Sequence, residues 1–192
     1  MILPIIAFGD PVLKKKAVEI TKDYPGLSQL IANMFDTMKN AKGVGLAAPQ
    51  VGVSIRLFII DAAPYVDNEE EEKDDEGLKS FKRIFINAQI IEQNGELWKF
   101  NEGCLSIPSI REDVERKPEL RIRYMDEKFL PKEEAFNGVK ARIIQHEYDH
   151  IEGVLFTDRI NPLRKRLLKR KLTDISKGDV DVSYKMKFPL KK

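Results

Sequence analysis

Residues 145–150 read Gln-His-Glu-Tyr-Asp-His and contain both histidines of this 192-residue chain. His146 and His150 are four residues apart, a spacing that places both imidazoles on one face of a helix. Imidazoles on a shared face can bind one divalent ion, and Glu147 directly follows the first of them. The stretch therefore predicts a metal-binding helix, and we expect it to span about residues 138–152 because Gly153 is a typical helix stop.

The single cysteine, Cys104, lies in the turn-like sequence Glu-Gly-Cys-Leu-Ser at residues 102–106. A thiol outside any apolar stripe is the obvious third ligand for a tetrahedral ion, with the fourth position left to water. A chance His-Glu-x-x-His is not rare, and such histidines are often surface or core residues. Since the chain has no other histidine, the pattern favours a metallohydrolase.

Composition predicts one globular catalytic domain over residues 1–192, because 42% of the residues are hydrophobic and the chain can bury a core. A net charge of +2 neither favours nor excludes a nucleic-acid partner. One cysteine cannot form an internal disulfide, which favours a reducing, cytoplasmic compartment. We expect no membrane partner, since no stretch approaches a membrane span and Gly9-Asp10-Pro11 interrupts the apolar start.

Hydrophobic periodicity predicts an α+β fold, because strands precede and surround helices without regular βαβ alternation. A first helix follows Pro25-Gly26 and closes near Lys42-Gly43. Strands are expected at 56–61, 83–88 and 120–124. A basic helix begins at Asn161-Pro162 and reaches about residue 173, and alternating residues predict a strand at 179–188.

Two charge runs stand out. Residues 67–76 contain eight acidic residues and one lysine, which is typical of a solvated loop inserted between strands. Residues 164–171 contain six basic residues and no acidic one. Such a helix face is usually only solvated, but it could also contact RNA phosphates.

A third motif, GVGLAAPQ at residues 43–50, could be no more than a tight turn with Gln50 at the surface. In this order and spacing, however, GVGLAAPQ, EGCLS at 102–106 and QHEYDH at 145–150 closely resemble the three signature motifs of peptide deformylases. The resemblance covers about residues 4–170, and the combination is highly specific. It implies a peptide-deformylase-like fold, with antiparallel or mixed sheets around a central metal-binding helix. It also implies the removal of a formyl group from N-formyl-methionyl nascent peptides.

The resemblance also implies a role for each motif residue. Cys104, His146 and His150 would bind one divalent ion, Fe(II) in the cell, with zinc, nickel or cobalt also able to occupy the site. Hydroxide from metal-activated water would attack the formyl carbon and release formate, with Glu147 as general acid and base. The Gln50 side chain and the Leu105 N–H would form the oxyanion hole.

Substrate-binding residues are expected on two sides of the metal. Val139, Arg142 and Ile143 precede His146 by seven, four and three residues and share its helix face, with Arg142 offering its aliphatic stem. An apolar stripe of this kind is more often plain core. By resemblance, Val44 and Phe100 complete a pocket for the methionine side chain. Gly45 and Gly103 would let a peptide approach as an added strand, and Glu102 would pair with Arg116 behind the metal.

The chain departs from the family pattern in the acidic loop and at the C-terminus. Many relatives end in a long basic helix that docks on the ribosome; here that helix is expected at only 162–173. A transient ribosome contact through residues 162–171 is therefore left open.

Other protein classes remain possible on the residues alone. A zinc endopeptidase would need a downstream third ligand such as Asp158. A catalytically inactive RNA- or ribosome-binding relative is the other alternative, and the intact Glu147 and Gln50 argue against it.

Overall fold

The computed structural model describes residues 1–64 and 77–190. The acidic run at 67–76 lies outside the described residues. In chain order the strands are β1 (Ile5–Ile6), β2 (Gly45–Ala47), β3 (Leu57–Asp61), β4 (Lys82–Asn94), β5 (Trp98–Cys104), β6 (Ile107–Arg116), β7 (Glu119–Met125), β8 (Pro131–Asn137) and β9 (Met186–Lys187). The α-helices are α1 (Leu27–Asn40), α2 (Gly138–Ile151) and α3 (Pro162–Lys177), and 3-10 turns lie at Pro11–Lys14, Ala48–Val51 and Phe156–Asp158.

The largest sheet is antiparallel, with the strand order β2-β3-β4-β7-β8. β5 and β6 form a separate antiparallel hairpin, and β1 pairs in parallel with β9. Together with the helices, this is the α+β architecture expected from the sequence. No helix in the described ranges combines the length and the apolarity needed to cross a bilayer.

β3 is a strand of this sheet that is buried on both faces. Its sequence Leu-Phe-Ile-Ile-Asp is almost continuously apolar, as expected for a strand covered on two sides. Phe58 and Ile60 point to the core cluster that includes Ile144 of α2, whereas Leu57 and Ile59 point to the cluster that includes Met34 of α1. β3 therefore lies between α1 and α2.

α2 is the central helix and carries the histidine motif. It packs against β2, β3 and β8, and Gly153 follows it in the left-handed conformation, φ 74°, as the sequence predicted. Several charged or polar side chains of α2 are buried, among them Arg142, Glu147 and His150. Buried polar groups need partners, so the elements around α2 must supply them.

α3 is longer than expected, since it ends at Lys177 and not near residue 173. Leu168, Leu172 and Ile175 continue the buried face at helical spacing, and they pack in the cluster that also contains Ile6 and Val114. The polar pair at 173–174 is therefore a solvent-facing part of the helix. The helix stops at Gly178, whose φ of 79° suits glycine.

The strand expected at 179–188 is mostly wrong, because only Met186–Lys187 pairs as a strand. Its partner β1 is equally short: the Ile5 N–H donates to the Lys185 carbonyl, and the Ala7 N–H to the Lys187 carbonyl. The next amide, Phe8 N–H, instead donates to the Ser106 carbonyl of the β5–β6 turn at 2.9 Å. The alternation of partly buried and exposed residues nevertheless persists from residue 181 to residue 188.

The extra turn of α3 should contribute to stability. We expect Ile175→Ala to lower the free energy of unfolding by about 2–4 kcal/mol, because it removes a buried side chain from a packed cluster. Leu163→Ala, at an exposed position of the same helix, should change it by less than about 0.5 kcal/mol. Urea unfolding at fixed metal content measures both, and equal effects would contradict the packing of this turn.

Candidate metal centre

The β5–β6 hairpin and α2 bring Cys104, His146 and His150 together. Cys104 is the last residue of β5, and residues 105–106 make the tight turn into β6. The three possible ligand atoms lie within 4.8 Å of one another, and Cys104 Sγ is 3.4 Å from His150 Nε2. The spacing argument from the sequence thus corresponds to a real cluster in the fold.

Glu102 orients the first histidine. Its carboxylate is 2.9 Å from His146 Nδ1, and Arg116 Nε and Nη2 donate to its two oxygens at 2.7 and 2.9 Å. The pair expected between Glu102 and Arg116 is therefore formed. Burial opposes ionisation, but the hydrogen bonds from Arg116 and His146 hold the pKa of Glu102 well below its usual range. A carboxylate on Nδ1 leaves Nε2 of His146 to bind an ion.

The network continues to Asp149, which sequence reasoning did not single out. Arg116 Nη1 donates to Asp149 at 2.7 Å, and Arg159 Nε donates to the same oxygen at 2.5 Å. The sequence did offer a signal for Asp149, because this residue lies within the motif at 145–150 and directly precedes His150. Nothing in the sequence pointed to Arg159.

Glu147 is buried beside the cluster, and its Oε2 atom has no hydrogen-bond partner among the described residues. Burial raises the pKa of Glu147 to about 7; the nearby Glu102 carboxylate adds to this rise, while His146 opposes it. The carboxyl group can therefore both accept and release a proton near neutral pH.

Residue 45 must be a glycine because the Glu147 carboxylate occupies the space that a side chain there would need. A Cβ atom at residue 45 would lie 2.4 Å from Glu147 Oε1, which is far closer than any real contact. The sequence suggested Gly45 for a close approach of substrate backbone, but in this structure the closest neighbour of the missing side chain is the Glu147 carboxylate. At Gly103 a Cβ would lie 3.0 Å from Arg111 Nη1 and 3.3 Å from Arg111 Cγ.

Gln50 is buried, with 2% of its surface exposed, so the surface-turn interpretation is wrong. The Ala47 N–H donates to Gln50 Oε1 at 2.9 Å, which turns the amide nitrogen toward the hairpin. Gln50 Nε2 lies 3.5 Å from Cys104 Sγ and 3.3 Å from Ser106 Oγ. Ser106, not named among the site residues, thus helps to fix this side chain.

A cavity of about 680 Å³ opens beside the cluster. Most of the residues expected around the substrate line it, together with catalytic and metal-binding candidates: Val44, Gly45, Gln50, Phe100, Glu102, Gly103, Cys104, Leu105, Arg142, Ile143, His146 and Glu147. Val139 does not line it, because this residue, in the first turn of α2, packs against the core cluster that contains Ile144. His150 and Arg116 are buried outside the cavity lining.

Arg142 lines the cavity, but its guanidinium is buried in protein contacts. Nη1 donates to Glu102 at 2.9 Å and to the Val114 carbonyl at 3.0 Å, and Nη2 donates to the Trp98 carbonyl at 2.8 Å. The guanidinium also lies over the rings of Trp98 and Phe100. Arg142 therefore joins the hairpin to α2 and places a second guanidinium on the Glu102 carboxylate.

Asp158, the third ligand that an endopeptidase would need, is engaged elsewhere. It accepts from the Leu155 N–H, pairs with Lys14, and pairs with Lys165 at 2.6 Å. The cluster of possible ligands found in the described residues does not include it.

The donor set fits a divalent transition-metal ion. A thiolate and two imidazoles are typical ligands of zinc, iron, nickel and cobalt, and three protein ligands leave a position open for catalysis. Glu147 Oε2 lies beside the cluster and has no hydrogen-bond partner among the described residues. A carboxylate oxygen without a partner is expected where a proton must be accepted.

Comparison with known proteins gives a consistent result. The family model described as "Polypeptide deformylase" matches residues 2–166. The peptide deformylase of Christiangramia forsetii is 60% identical over 190 residues, covering 98% of this chain and 97% of that protein. That of Flavobacterium johnsoniae is 59% identical over 189 residues, covering 98% and 96%.

Solved structures agree. A crystal structure of a peptide deformylase from Legionella pneumophila has a TM-score of 0.77 at 36% identity, covering 93% of this chain and 98% of that chain. A peptide deformylase from Synechococcus elongatus, in complex with actinonin, has a TM-score of 0.73 at 37% identity, covering 88% and 85%. With a family match over most of its length and relatives of this identity, the chain belongs to the polypeptide deformylase family.

Proposed function

We propose that this chain is a metal-dependent hydrolase that removes the formyl group from the N-terminal formyl-methionine of nascent polypeptides and releases formate. The observation that carries the proposal is the buried Glu147, whose unpartnered Oε2 atom lies beside the Cys104–His146–His150 cluster in an open cavity. This is the arrangement that an amide hydrolase needs, since a base must lie next to the place where water is activated.

Cys104, His146 and His150 would hold the ion. When bound, a divalent ion supplies Lewis acidity and lowers the pKa of a water molecule toward neutrality. The soft thiolate and the imidazoles suit several metals, so ligand type alone does not select one. The resemblance to the family favours Fe(II) in the cell, with zinc, nickel or cobalt possible after purification.

Glu147 is the general acid and base of the proposed reaction. Its pKa near neutrality suits it to take a proton from the attacking water and later to deliver it to the departing amine. Gly45 keeps the space around this carboxylate open.

Gln50 and the Leu105 N–H form the proposed oxyanion hole. Gln50 is held with its donor nitrogen toward the hairpin, because its oxygen already accepts from Ala47. Leu105 follows the ligand Cys104 directly and lines the same cavity. Donors fixed before the reaction lower the barrier because they need not reorganise as charge develops on the formyl oxygen.

The methionine side chain is proposed to enter the cavity beside Ile143 and Arg142. Apolar surface there comes from Val44, Phe100 and the stem of Arg142. Val139 packs against the neighbouring core cluster and does not line the cavity. Gly45 and Gly103 would flank the peptide backbone, although Gly45 is also needed by Glu147.

The whole chain, residues 1–192, is proposed to act as a single catalytic domain. Support comes from β1 and β9, which join the two ends of the described chain beside the hairpin that carries Cys104. A transient ribosome contact through residues 162–171 stays a prediction. Arg164 and Lys165 are already paired with Glu112 and Asp158, so the remaining basic residues of α3 would have to make it.

Formate release from an N-formylmethionyl tripeptide, with and without a chelator, tests the proposal. We expect activity that a chelator abolishes and that added divalent metal restores. Cleavage of internal peptide bonds would instead indicate an endopeptidase, and a metal-loaded protein without either activity would favour a binding module.

Replacing the thiolate should remove tight metal binding. We expect Cys104→Ala to lose the ion on dialysis, because two histidines on one helix make an incomplete site. Cys104→Asp should keep more metal with altered activity, since a carboxylate is a harder ligand. Asp158→Asn is the control, and its metal content, measured by atomic emission, should equal that of the parent; the reverse pattern would place the third ligand at Asp158.

Removing the proposed base should separate metal binding from activity. Glu147→Gln should keep its metal while kcat falls by roughly 10²–10⁴-fold, the range for loss of a general base. Glu127→Gln, at an exposed position, should leave both unchanged. Steady-state kinetics and metal analysis of the same preparation distinguish a base from a ligand. Parallel loss of metal and activity would indicate that Glu147 is a ligand.

A methyl group at residue 45 should act through Glu147. Gly45→Ala is expected to reduce kcat by roughly 10²-fold, because the new Cβ displaces the carboxylate and small misplacements of catalytic groups have effects of this size. Metal content should stay at the parent value. A Gly45→Ala enzyme with normal kcat would show that Glu147 does not need this position.

A further inference from the structure

The C-terminal segment, residues 181–184, forms one wall of the catalytic cavity, which sequence reasoning did not anticipate. It lies beyond residue 166, where the family match ends. Inward residues Val180, Met186 and Phe188 on either side of the wall pack against the cluster that also contacts Cys104. The segment is therefore anchored to the core beneath the metal centre.

Tyr184 makes the one side-chain hydrogen bond found from this wall to the β5–β6 turn within the described residues. Its hydroxyl donates to the Leu105 carbonyl at 2.8 Å. Burial raises the pKa of Tyr184 above its usual value, with a further contribution from Cys104, so the hydroxyl keeps its proton at neutral pH. A half-buried tyrosine whose hydroxyl donates to one acceptor holds that acceptor in place, because the side chain has few rotatable bonds.

Both carbonyls of the turn accept hydrogen bonds from the paired N- and C-terminal segments. The Ser106 carbonyl accepts from the Phe8 N–H at 2.9 Å, and the Leu105 carbonyl accepts from Tyr184. Phe8 follows β1 and Tyr184 precedes β9, so the paired termini present both donors to the turn. The peptide plane after Leu105 is thereby held, and this restricts the neighbouring plane that carries the Leu105 N–H, since only the φ and ψ of Leu105 separate the two planes.

We propose that Tyr184 is a positioning residue for deformylation: by holding the Leu105 carbonyl, it aims the Leu105 N–H at the developing oxyanion. This inference rests on the proposed function. The oxyanion donors must be placed within a few tenths of an ångström before the reaction, and a turn held by only one of its carbonyls would lose that precision.

Tyr184→Phe tests the inference, because it removes the hydroxyl and keeps the ring. We expect kcat for an N-formylmethionyl tripeptide to fall by roughly tenfold, less than the roughly 10²–10³-fold for loss of an oxyanion donor itself. KM, metal content and thermal stability should stay close to parent values. Tyr24→Phe, at a half-buried tyrosine that does not line the cavity, is the matched control and should not change kcat.

An independent readout is the Leu105 amide signal in protein labelled with 15N-leucine. Its chemical shift and hydrogen-exchange rate should change in Tyr184→Phe and not in Tyr24→Phe, and para-aminophenylalanine at position 184 should restore kcat because it returns a donor. If the parent is active and Tyr184→Phe has the same kcat, this inference alone is overturned. The same holds if the variant loses activity only in proportion to lost metal. An inactive parent would overturn the proposed function and this inference with it.

Discussion

The Glu102 carboxylate is the group on which the candidate metal centre depends. It accepts from Arg116, Arg142 and His146, and so joins both strands of the β5–β6 hairpin to the central helix α2. Losing one member of a buried ionic network leaves the others without compensation, at a cost of about 3–5 kcal/mol. The register of hairpin and helix, and hence the distance from Cys104 to the histidines, is therefore tied to one buried charge.

This network also explains why charged residues occupy the protein interior. Arg142, at 2% exposure, would be out of place in an apolar core, but its donors reach Glu102 and the carbonyls of β5 and β6. Its stem and the rings of Trp98 and Phe100 meanwhile supply apolar surface at the cavity. The same side chain thus belongs both to the support of the candidate metal site and to the proposed substrate pocket.

Local sequence was sufficient for α2, β3 and β7. The histidine spacing and Gly153 marked α2, β3 is a continuous apolar run, and β7 alternates between buried and exposed residues. Local sequence missed the β5–β6 hairpin, since inward positions of β6 include the charged Glu112 and Arg116, and a hydrophobic alternation is not visible there. It ended α3 too early because a polar pair precedes the buried Ile175. Such elements depend on partners far away in the chain, which local patterns do not contain.

For the site, the ligand cluster could be predicted because spacing on a helix is a local property. The roles proposed for Gln50 and Leu105 came from the resemblance to a family, since nothing in a turn sequence says that its amide side chain is buried. Gly45 shows another limit: the carboxylate that its missing Cβ would meet lies on α2, about a hundred residues further along the chain. Tyr184 could not be connected to Leu105 by any pattern.

The parallel pairing of β1 with β9 has a consequence for biosynthesis. Residues 5–6 precede every helix and every other strand described above, whereas their partners at 186–187 follow the last helix. Contacts between such distant segments form late, because the intervening chain must first be ordered. The donors that hold the Leu105–Ser106 turn therefore come together only after the chain between residues 8 and 184 has been synthesised, so this wall of the cavity forms later than the hairpin and the central helix.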